Sequence, residues 1–310
     1  MMRFSARLCG LGVWAAFAAV CWAQSTEWPV LKGPYLGQNS PGDSPVVFAP
    51  GIISTDAPEG ATSFSPDGSF LLFARGRADL EGVLMTEQID GVWSEPRRAS
   101  FSAGRHDWDF SLAPDGKTVV VASARPDEEG DEEPLRDHRI WMSRREGTGW
   151  SKPRVLAAPV NTGQHDSYPW LSGGGILYFF SNREGGLGHG DIYRARNWDG
   201  ASPWVANLGP PVNSGHHEVD PYIAPDESYL IFCSDRPGGF GKSDIYVSFR
   251  MAGEGWSEPV NLGDQINTAA DEYIPSVTPD SRYFFFTSNV SGNREIYWMD
   301  ARFIEELRPK

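Results

Sequence analysis

Short, strongly apolar runs recur along the chain, separated by polar stretches rich in Gly, Pro and Asp. Five of them stand out: FLLFAR from Phe70, VVVAS from Val119, LYFFS from Leu177, LIFCS from Leu230 and FFFTS from Phe284. Continuous runs of β-branched and aromatic residues, bounded by turn signals, are typical of strands that are buried on both faces. The pattern therefore predicts five buried β-strands.

A tight-turn sequence precedes each apolar run. The five turns are SPDGS from Ser65, APDGK from Ala113, SGGGI from Ser172, APDES from Ala224 and TPDSR from Thr278. Proline presets the backbone angle of the second turn position, and Asp or Gly tolerates the tight return of the chain. We therefore expect each turn to join two antiparallel strands, the second of which is the apolar run.

Two further segments complete the repeated pattern. An Ile-Tyr-like pair predicts a third strand: GVLM from Gly82, RIWM from Arg139, DIYR from Asp191, DIYV from Asp244 and EIYW from Glu295. A segment with Trp and Pro then predicts a fourth strand in four copies: VWSEP from Val92, GWSKPRVL from Gly149, SPWVANLG from Ser202 and GWSEPVNLG from Gly255. Because proline cannot donate a ladder hydrogen bond, the fourth strand belongs at the outer edge of its sheet.

An acidic residue opens each copy, and consecutive acids are 48 to 59 residues apart: Glu59, Asp107, Asp166, Glu218 and Glu272. This period suits a four-stranded propeller blade. We predict an all-β protein with a single five-bladed β-propeller, and six blades are the alternative if residues 28–42 add an irregular blade. The last copy lacks a fourth strand, and Ser44–Thr55 is expected to supply it, which closes the ring and protects the sheet edges.

These repeats resemble the Pro-Asp propeller repeats of the TolB-like family, relatives of the WD-repeat propellers. The resemblance covers residues 44–300 and rests on APDESYLIFCSDRPGGFGKSDIY, GWSEPVNLG and the linkers NTGQHDSYP, NSGHHEVDP and NTAADEYIP. It implies the fold, whereas members of that family serve as periplasmic interaction modules, as parts of outer-membrane or peptidoglycan-associated proteins, or as propeller halves of serine peptidases. The chain has Gly173-Gly174 in place of one Pro-Asp, and it contains no Gly-x-Ser-x-Gly elbow, so peptidase chemistry is not expected.

The first residues have the layout of a secretory signal peptide. Arg3 and Arg7 precede an apolar run that ends in small residues near Ala23, and this run is too short for a membrane span. We predict a signal peptide at 1–23, an N-terminal extension at 24–43, and the propeller with a short C-terminal tail at 44–310. The protein is then exported, and is periplasmic or secreted; lipidation at Cys21 is the alternative.

The charge balance excludes one class of binding partner. The chain has 27 basic and 41 acidic residues, a net charge of −14, and it loses two arginines with the predicted signal peptide. Nucleic acid is excluded because phosphate binding needs a basic surface. The expected partner is an envelope protein or a glycan, with no transmembrane segment after cleavage. Cys233, the cysteine that then remains, is expected to be a small buried hydrophobe.

The opening acids are the leading candidates for a ligand site. Equivalent residues of the inner strands lie around one mouth of a propeller, so the five carboxylates are expected there. They would bind a cation or a polyhydroxylated ligand. Their neighbours in the sequence are His165, His217, Asp109 and Asp220.

Arginines at an equivalent position offer a structural interpretation of the same acids. Four of them follow the second strands: Arg77, Arg125, Arg183 and Arg236. We expect ion pairs between these arginines and the acids, because unpaired neighbouring carboxylates raise each other's pKa. Glu272 is the acid expected to be free, because its copy has Val290 at the arginine position.

Two copies share a Gly-rich segment, SNREGGLGHGDIYRAR from Ser181 and SDRPGGFGKSDIYVSF from Ser234. Its glycines are expected to take positive backbone angles in a hairpin: Gly185, Gly186, Gly188, Gly190, Gly238, Gly239 and Gly241. Asp191 and Asp244 are expected to accept hydrogen bonds from exposed amides of the loop. A calcium-binding nonapeptide fits less well, because both aspartates fall one position late.

No cofactor is predicted, and calcium is the one metal that the sequence leaves open. The acidic insertion at 126–138 is expected to be a solvated loop, with weak calcium binding as the alternative. The six histidines form no zinc signature, and no cysteine pair accompanies them.

The leading functional hypothesis is a non-catalytic binding or scaffold propeller of the cell envelope, with its contacts at a propeller mouth. The alternative is a glycoside hydrolase or lyase, because two carboxylates that flank a sugar bond suffice for hydrolysis. Its candidate catalytic residues are Asp107, Asp166, Glu218 and Glu272. Their equivalence in the repeat favours a structural role, since catalysis needs two acids of different pKa.

Overall fold

A computed structural model describes residues 28–76, 80–104, 107–126, 137–253 and 255–310. The predicted signal peptide, Arg77 and residues 127–136 of the acidic insertion lie outside the described residues. Five antiparallel sheets form a five-bladed β-propeller, which confirms the predicted fold.

Each blade consists of an inner, a second, a third and a short outer strand. The inner strands are β2 (Glu59–Phe64), β7 (Asp107–Leu112), β12 (Asp166–Leu171), β16 (Glu218–Ile223) and β20 (Glu272–Val277). The second strands are β3 (Phe70–Arg75), β8 (Thr118–Ser123), β13 (Leu177–Ser181), β17 (Tyr229–Ser234) and β21 (Tyr283–Ser288). The third strands are β4 (Gly82–Ile89), β9 (Arg139–Glu146), β14 (Asp191–Arg196), β18 (Asp244–Phe249) and β22 (Glu295–Asp300). The outer strands are β1 (Val46–Val47), β5 (Val92–Trp93), β6 (Arg97–Arg98), β10 (Gly149–Trp150), β11 (Arg154–Val155), β15 (Trp204–Asn207) and β19 (Val260–Asn261).

The turns and the outer strands follow the sequence signals. Each Pro-Asp-type turn joins an inner strand to a second strand and closes with a hydrogen bond, as from the Gly68 N–H to the Ser65 carbonyl at 2.9 Å. The outer strands of the first two blades are interrupted at Pro96 and Pro153: β5 and β6 both pair with β4, and β10 and β11 both pair with β9. Proline is confined to the sheet edge because it lacks the N–H that a ladder needs.

The N-terminal segment closes the ring, as predicted. Strand β1 is the outer strand of the last blade and pairs antiparallel with β22, and the Phe48 N–H donates to the Ile296 carbonyl at 2.8 Å. Residues 28–42 do not form a sixth blade, so that alternative is wrong. They contain a 3-10 helix (Pro34–Gly37) and bind the edge of the first blade, where the Trp28 indole N–H donates to the Trp93 carbonyl at 3.1 Å. A short helix α1 (Phe303–Glu306) buries Ile304 against the last two blades.

The core lies between adjacent blades. In one cluster Leu72 and Val83 of the first blade share an apolar environment with Val121 of the second. Cys233 is fully buried and free in another cluster, as expected of a small hydrophobe. The chain is therefore stabilised by packing between sheets rather than by a single central core.

A bulge in every inner strand determines which side chains reach the propeller axis. The pairing register shifts in the middle of each inner strand, and four residues there have left-handed backbone angles: Ala61, Tyr168, Asp220 and Ile274. In three blades the residue after the bulge is a proline: Pro169, Pro221 and Pro275. Proline cannot continue the ladder at this point, which favours a bulge and turns the preceding side chain toward the axis.

Candidate functional site

The five opening acids tie each inner strand to the linker before it. All five are fully buried, and each carboxylate accepts a hydrogen bond from the backbone N–H four residues earlier. The donors are Thr55 at 3.0 Å from Glu59, Thr162 at 2.7 Å from Asp166, Ser214 at 2.9 Å from Glu218, Thr268 at 3.0 Å from Glu272, and Ala103 next to Asp107. The same acid thus holds the same linker in every blade.

Arginines pair with four of these acids. The ion pairs are Arg75 Nε to Glu59 at 2.9 Å, Arg125 Nη2 to Asp107 at 2.8 Å, Arg183 Nη2 to Asp166 at 2.9 Å and Arg236 Nη2 to Glu218 at 3.1 Å. In the first blade the partner is Arg75, the last residue of β3, while Arg77 lies outside the described residues.

Each paired guanidinium also lies against an aromatic ring; that of Arg125, for example, lies 5.2 Å from the ring centroid of Trp141. Each also donates to a backbone carbonyl of the linker, as Arg183 does to the carbonyl of Val160 at 2.7 Å. Buried charges of this kind are stable only when they are paired and hydrogen-bonded.

Glu272 lacks an arginine partner among the described residues, but its carboxylate is hydrogen-bonded. Its carboxylate accepts hydrogen bonds from the Thr268 hydroxyl at 2.8 Å and the Ser288 hydroxyl at 2.9 Å, besides the Thr268 N–H. No guanidinium of the described residues pairs with it, and Val290 is exposed at the arginine position. Equivalent hydroxyl groups also donate to acids in the arginine-paired blades, such as those of Ser214 and Ser234 to Glu218, so Glu272 keeps the hydroxyl contacts of the repeat and lacks the arginine.

The opening acids turn into their own blades and not into an open channel mouth. Because their carboxylates have no exposed surface, they offer no atom to a ligand in this conformation. Their neighbours His165 and His217 lie on either side of Phe180, with ring centroids 5.8 and 5.2 Å from it. Burial lowers the pKa of His165 and favours its neutral form. Within the described part of the chain, no three His, Cys, Asp or Glu side chains are arranged to hold a metal ion.

The Gly-rich loops have a structural explanation that differs from the expected one. Only Gly185 and Gly238 have positive φ angles, so the expectation for the other glycines is wrong. Gly188 and Gly241 are required by close approach instead, since a Cβ atom would collide with the backbone carbonyls of His216 and Ala270 in the next linker.

Two aspartates hold these loops. Asp244 accepts the N–H groups of Phe240 at 2.6 Å and Gly241 at 2.8 Å, and Asp191 accepts those of Leu187 at 2.6 Å and Gly188 at 3.3 Å. The loop is repeated because in both blades it packs directly on the linker to the following blade.

Two different acids lie on the propeller axis. Asp109 and Asp220, on the bulges of the second and fourth blades, line a cavity of about 10 Å³ together with Tyr168 and Ile274. The Ser167 hydroxyl donates to Asp109 at 3.0 Å and the Ile274 N–H donates to Oδ2 of Asp220 at 3.0 Å, whereas Oδ1 of Asp220 has no hydrogen-bond partner. The cavity has room for about one water molecule.

Burial gives these two acids unusual proton affinities. It raises the pKa of Asp109 to about 8, with a further contribution from the charge of Asp220, and it raises the pKa of Asp220 to about 6. The charge of Asp109 in turn raises the pKa of the Tyr168 hydroxyl. In the sequence both acids were expected only as neighbours of the opening acids. Their signal is the position two residues after an opening acid, where the bulge falls.

The opposite end of the channel opens into an apolar cavity of about 210 Å³. Prolines from four of the five turns line it: Pro66, Pro114, Pro225 and Pro279. Trp170 and Tyr222 form part of its wall, with ring centroids 4.8 Å apart in an edge-to-face arrangement. This cavity was not predicted, although the sequence contains a signal for it: one proline at the same turn position in four blades.

Comparison with solved structures supports the fold. A TolB structure from Agrobacterium tumefaciens superposes with a TM-score of 0.53 at 18% identity, covering 79% of this chain and 78% of that one. A GH43 endo-arabinanase from Bacillus licheniformis superposes with a TM-score of 0.53 at 11% identity, covering 80% of this chain and 95% of that one. A TolB structure from Acinetobacter baumannii gives a TM-score of 0.49 at 14% identity, covering 81% of this chain and 56% of that one.

No protein-family model matches the chain, and no curated protein matches it in sequence. At these identities the structural similarity is one of fold, and the neighbours have different functions. Among the described residues, no helix is long and apolar enough to cross a membrane.

Proposed function

We propose that the protein is a non-catalytic binding propeller of the cell envelope, and that it holds an apolar side chain of a partner in the cavity on the Pro-Asp face. The cavity carries this proposal: it is open at one end of the channel, and aromatic and proline side chains line it. Its volume of about 210 Å³ is below the roughly 300 to 1,000 Å³ of typical small-molecule pockets, so one side chain fits better than a whole ligand. The envelope location rests on the predicted signal peptide.

The structural role of the opening acids supports this proposal indirectly. Each of them holds a linker and is enclosed in its blade, so we assign them, together with their arginines, to the structure of the propeller and not to a ligand site. The repeat then accounts for the fold, and the binding surface is formed by the turns.

A glycoside hydrolase is the second candidate, on one observation: Asp109 and Asp220 differ in pKa, as a general acid and its partner must. Against it, both acids line a cavity of about 10 Å³ that admits no sugar ring. If this activity exists, Asp109 and Asp220 are its residues in place of the opening acids.

The test is selection of peptides from a random display library on the purified protein, followed by affinity measurements with synthetic copies. Trp170→Ala is expected to weaken binding of the selected peptides, whereas Phe240→Ala, which truncates an exposed aromatic residue on a Gly-rich loop, is expected to leave it unchanged. Equal affinities of Trp170→Ala and the unmodified protein would contradict the cavity proposal. Hydrolysis of an arabinan oligosaccharide that Asp109→Asn abolishes would establish the enzyme in its place.

A further inference from the structure

The two cavities on the propeller axis adjoin each other. Trp170 lines both the apolar cavity of about 210 Å³ and the cavity of about 10 Å³ that contains the axial acids. In the fourth and fifth blades, a residue that lines the small cavity is followed directly by one that lines the large cavity: Pro221 by Tyr222, and Pro275 by Ser276. The base of the apolar cavity is therefore one strand residue, or about 3.3 Å along the strand, from the acid-lined cavity.

One carboxylate oxygen in the small cavity lacks a partner. Asp220 is 4% exposed, and its Oδ1 accepts no hydrogen bond from the described residues, while its Oδ2 accepts the one from the Ile274 N–H at 3.0 Å. The thiol of Cys233 is the neighbouring side-chain donor, and a thiol donates only weakly. A buried acceptor without a partner is costly, because folding removes its water and supplies no hydrogen bond in exchange. A ligand that donates to this oxygen would recover that cost.

The small cavity also matches one kind of donor in charge and in size. Asp109 lines it together with Asp220, so two carboxyl groups face the same space. Burial raises the pKa of both groups, and the charge of Arg294 offsets only part of this increase. The volume of about 10 Å³ holds about one water molecule, and a primary ammonium is a compact charge of about that size. A guanidinium is planar and larger.

We infer that the axis binds a lysine side chain of the partner segment, with its four-carbon stem in the apolar cavity and its ammonium group at Asp220 and Asp109. The stem is the apolar part that the cavity holds, so this inference rests on the proposed function and specifies the ligand of the same site. The ammonium donates to Oδ1 of Asp220, the acceptor that the protein itself leaves without a partner.

Synthetic peptides from the display selection test this inference on the unmodified protein. The selected peptides are expected to contain a lysine. Replacement of that lysine by norleucine keeps the stem and removes the ammonium, and it should weaken binding at least about tenfold, the value of a hydrogen bond to a charged group. Replacement by arginine keeps the charge but introduces a group too large for the small cavity, so it should also weaken binding.

Asp220→Asn tests the same contact from the side of the protein. Asn has the size of Asp and tolerates the left-handed backbone at this position, where φ is 52°. In this variant the lysine and norleucine peptides should bind about equally. Asp264→Asn is the matched control, because it removes one negative charge at an exposed site outside both cavities and should retain the preference for lysine.

Three results would each overturn the inference: selected peptides without lysine, equal affinities of the lysine and norleucine peptides for the unmodified protein, or equal affinities of the lysine and arginine peptides. The last result would show a general attraction of cations to a chain with a net charge of −14. Failure of the proposed function gives a different result, since Trp170→Ala then has no effect on any of the peptides. Thermal unfolding of each variant shows that the comparison is made between folded proteins.

Discussion

Replacement of Asp109 by Asn tests the account of the propeller axis. The buried carboxyl of Asp109 has a pKa of about 8, so the folded protein retains a proton there that the unfolded chain releases near pH 4. Stability from this group is complete below pH 4 and is lost as the pH rises toward 8, because ionisation of a buried, poorly solvated carboxyl is costly. Asn has the shape of the protonated acid, can still accept the hydrogen bond from Ser167, and does not ionise.

The expected magnitude follows from the same pKa. One bound proton changes the free energy of unfolding by about 1.4 kcal/mol per pH unit, so the interval between the ordinary pKa of 3.8 and about 8 sets a ceiling of about 6 kcal/mol. Entry of water into the cavity reduces this value, and we expect Asp109→Asn to be more stable than the unmodified protein by at least ~2 kcal/mol at pH 8.5. At pH 4.5 the two proteins should be nearly equal in stability.

Urea unfolding followed by tryptophan fluorescence between pH 4.5 and 8.5 measures this difference. Asp264→Asn, at an exposed site, controls for loss of one negative charge from the protein. A stability difference between Asp109→Asn and the unmodified protein that does not change with pH would refute the reasoning.

Three further experiments test the architecture, each by the urea unfolding midpoint and free energy of unfolding of its variants. Phe48→Ala removes a fully buried ring next to the closing strand and should cost about 3 to 5 kcal/mol; a loss below ~1 kcal/mol would show that closure contributes little. Asp166→Asn leaves a largely buried arginine without its partner and should cost about 3 to 5 kcal/mol. Glu272→Gln strands no charge and should cost ~1 to 3 kcal/mol; equal losses would contradict the pairing scheme. Gly241→Ala forces a side chain against the next linker and should cost about 1 to 3 kcal/mol, while Gly255→Ala, in open space, should change stability by less than ~0.5 kcal/mol; similar effects would exclude close approach as the reason for the glycine.

Much of the fold could be read from local signals. The apolar runs are the second strands, the Pro-Asp turns are hairpin turns, and proline lies at the interruptions of the outer strands. Each of these signals acts within a few residues, through backbone angles, loss of a hydrogen-bond donor or burial on both faces. Residues 28–42 carry no such signal, so a sixth blade remained an alternative prediction. That alternative was wrong, because these residues pack on the first blade and the closing strand.

The candidate site could not be predicted fully, because the sequence does not show the direction in which each side chain of an inner strand points. The opening acids and the axial acids are two residues apart, at positions that a regular strand would turn to the same face. The bulge breaks this alternation, so that Asp107 turns into its blade toward Arg125 while Asp109 reaches the axis. Glu272 shows a related limit, since the sequence showed the missing arginine but not that the Thr268 and Ser288 hydroxyls bond its carboxylate.

The sequence by itself determined the five copies of the repeat, the order of strands within each blade and the closure of the ring, because these depend on a repeated pattern of short-range preferences, whereas the structure excluded a sixth blade. Only the tertiary structure decided where the proposed binding surface lies. The cavity is lined by prolines that lie 48 to 111 residues apart in the chain, from one to the next. Such surfaces exist only after the blades are arranged around a common axis, since no local interaction brings their residues together.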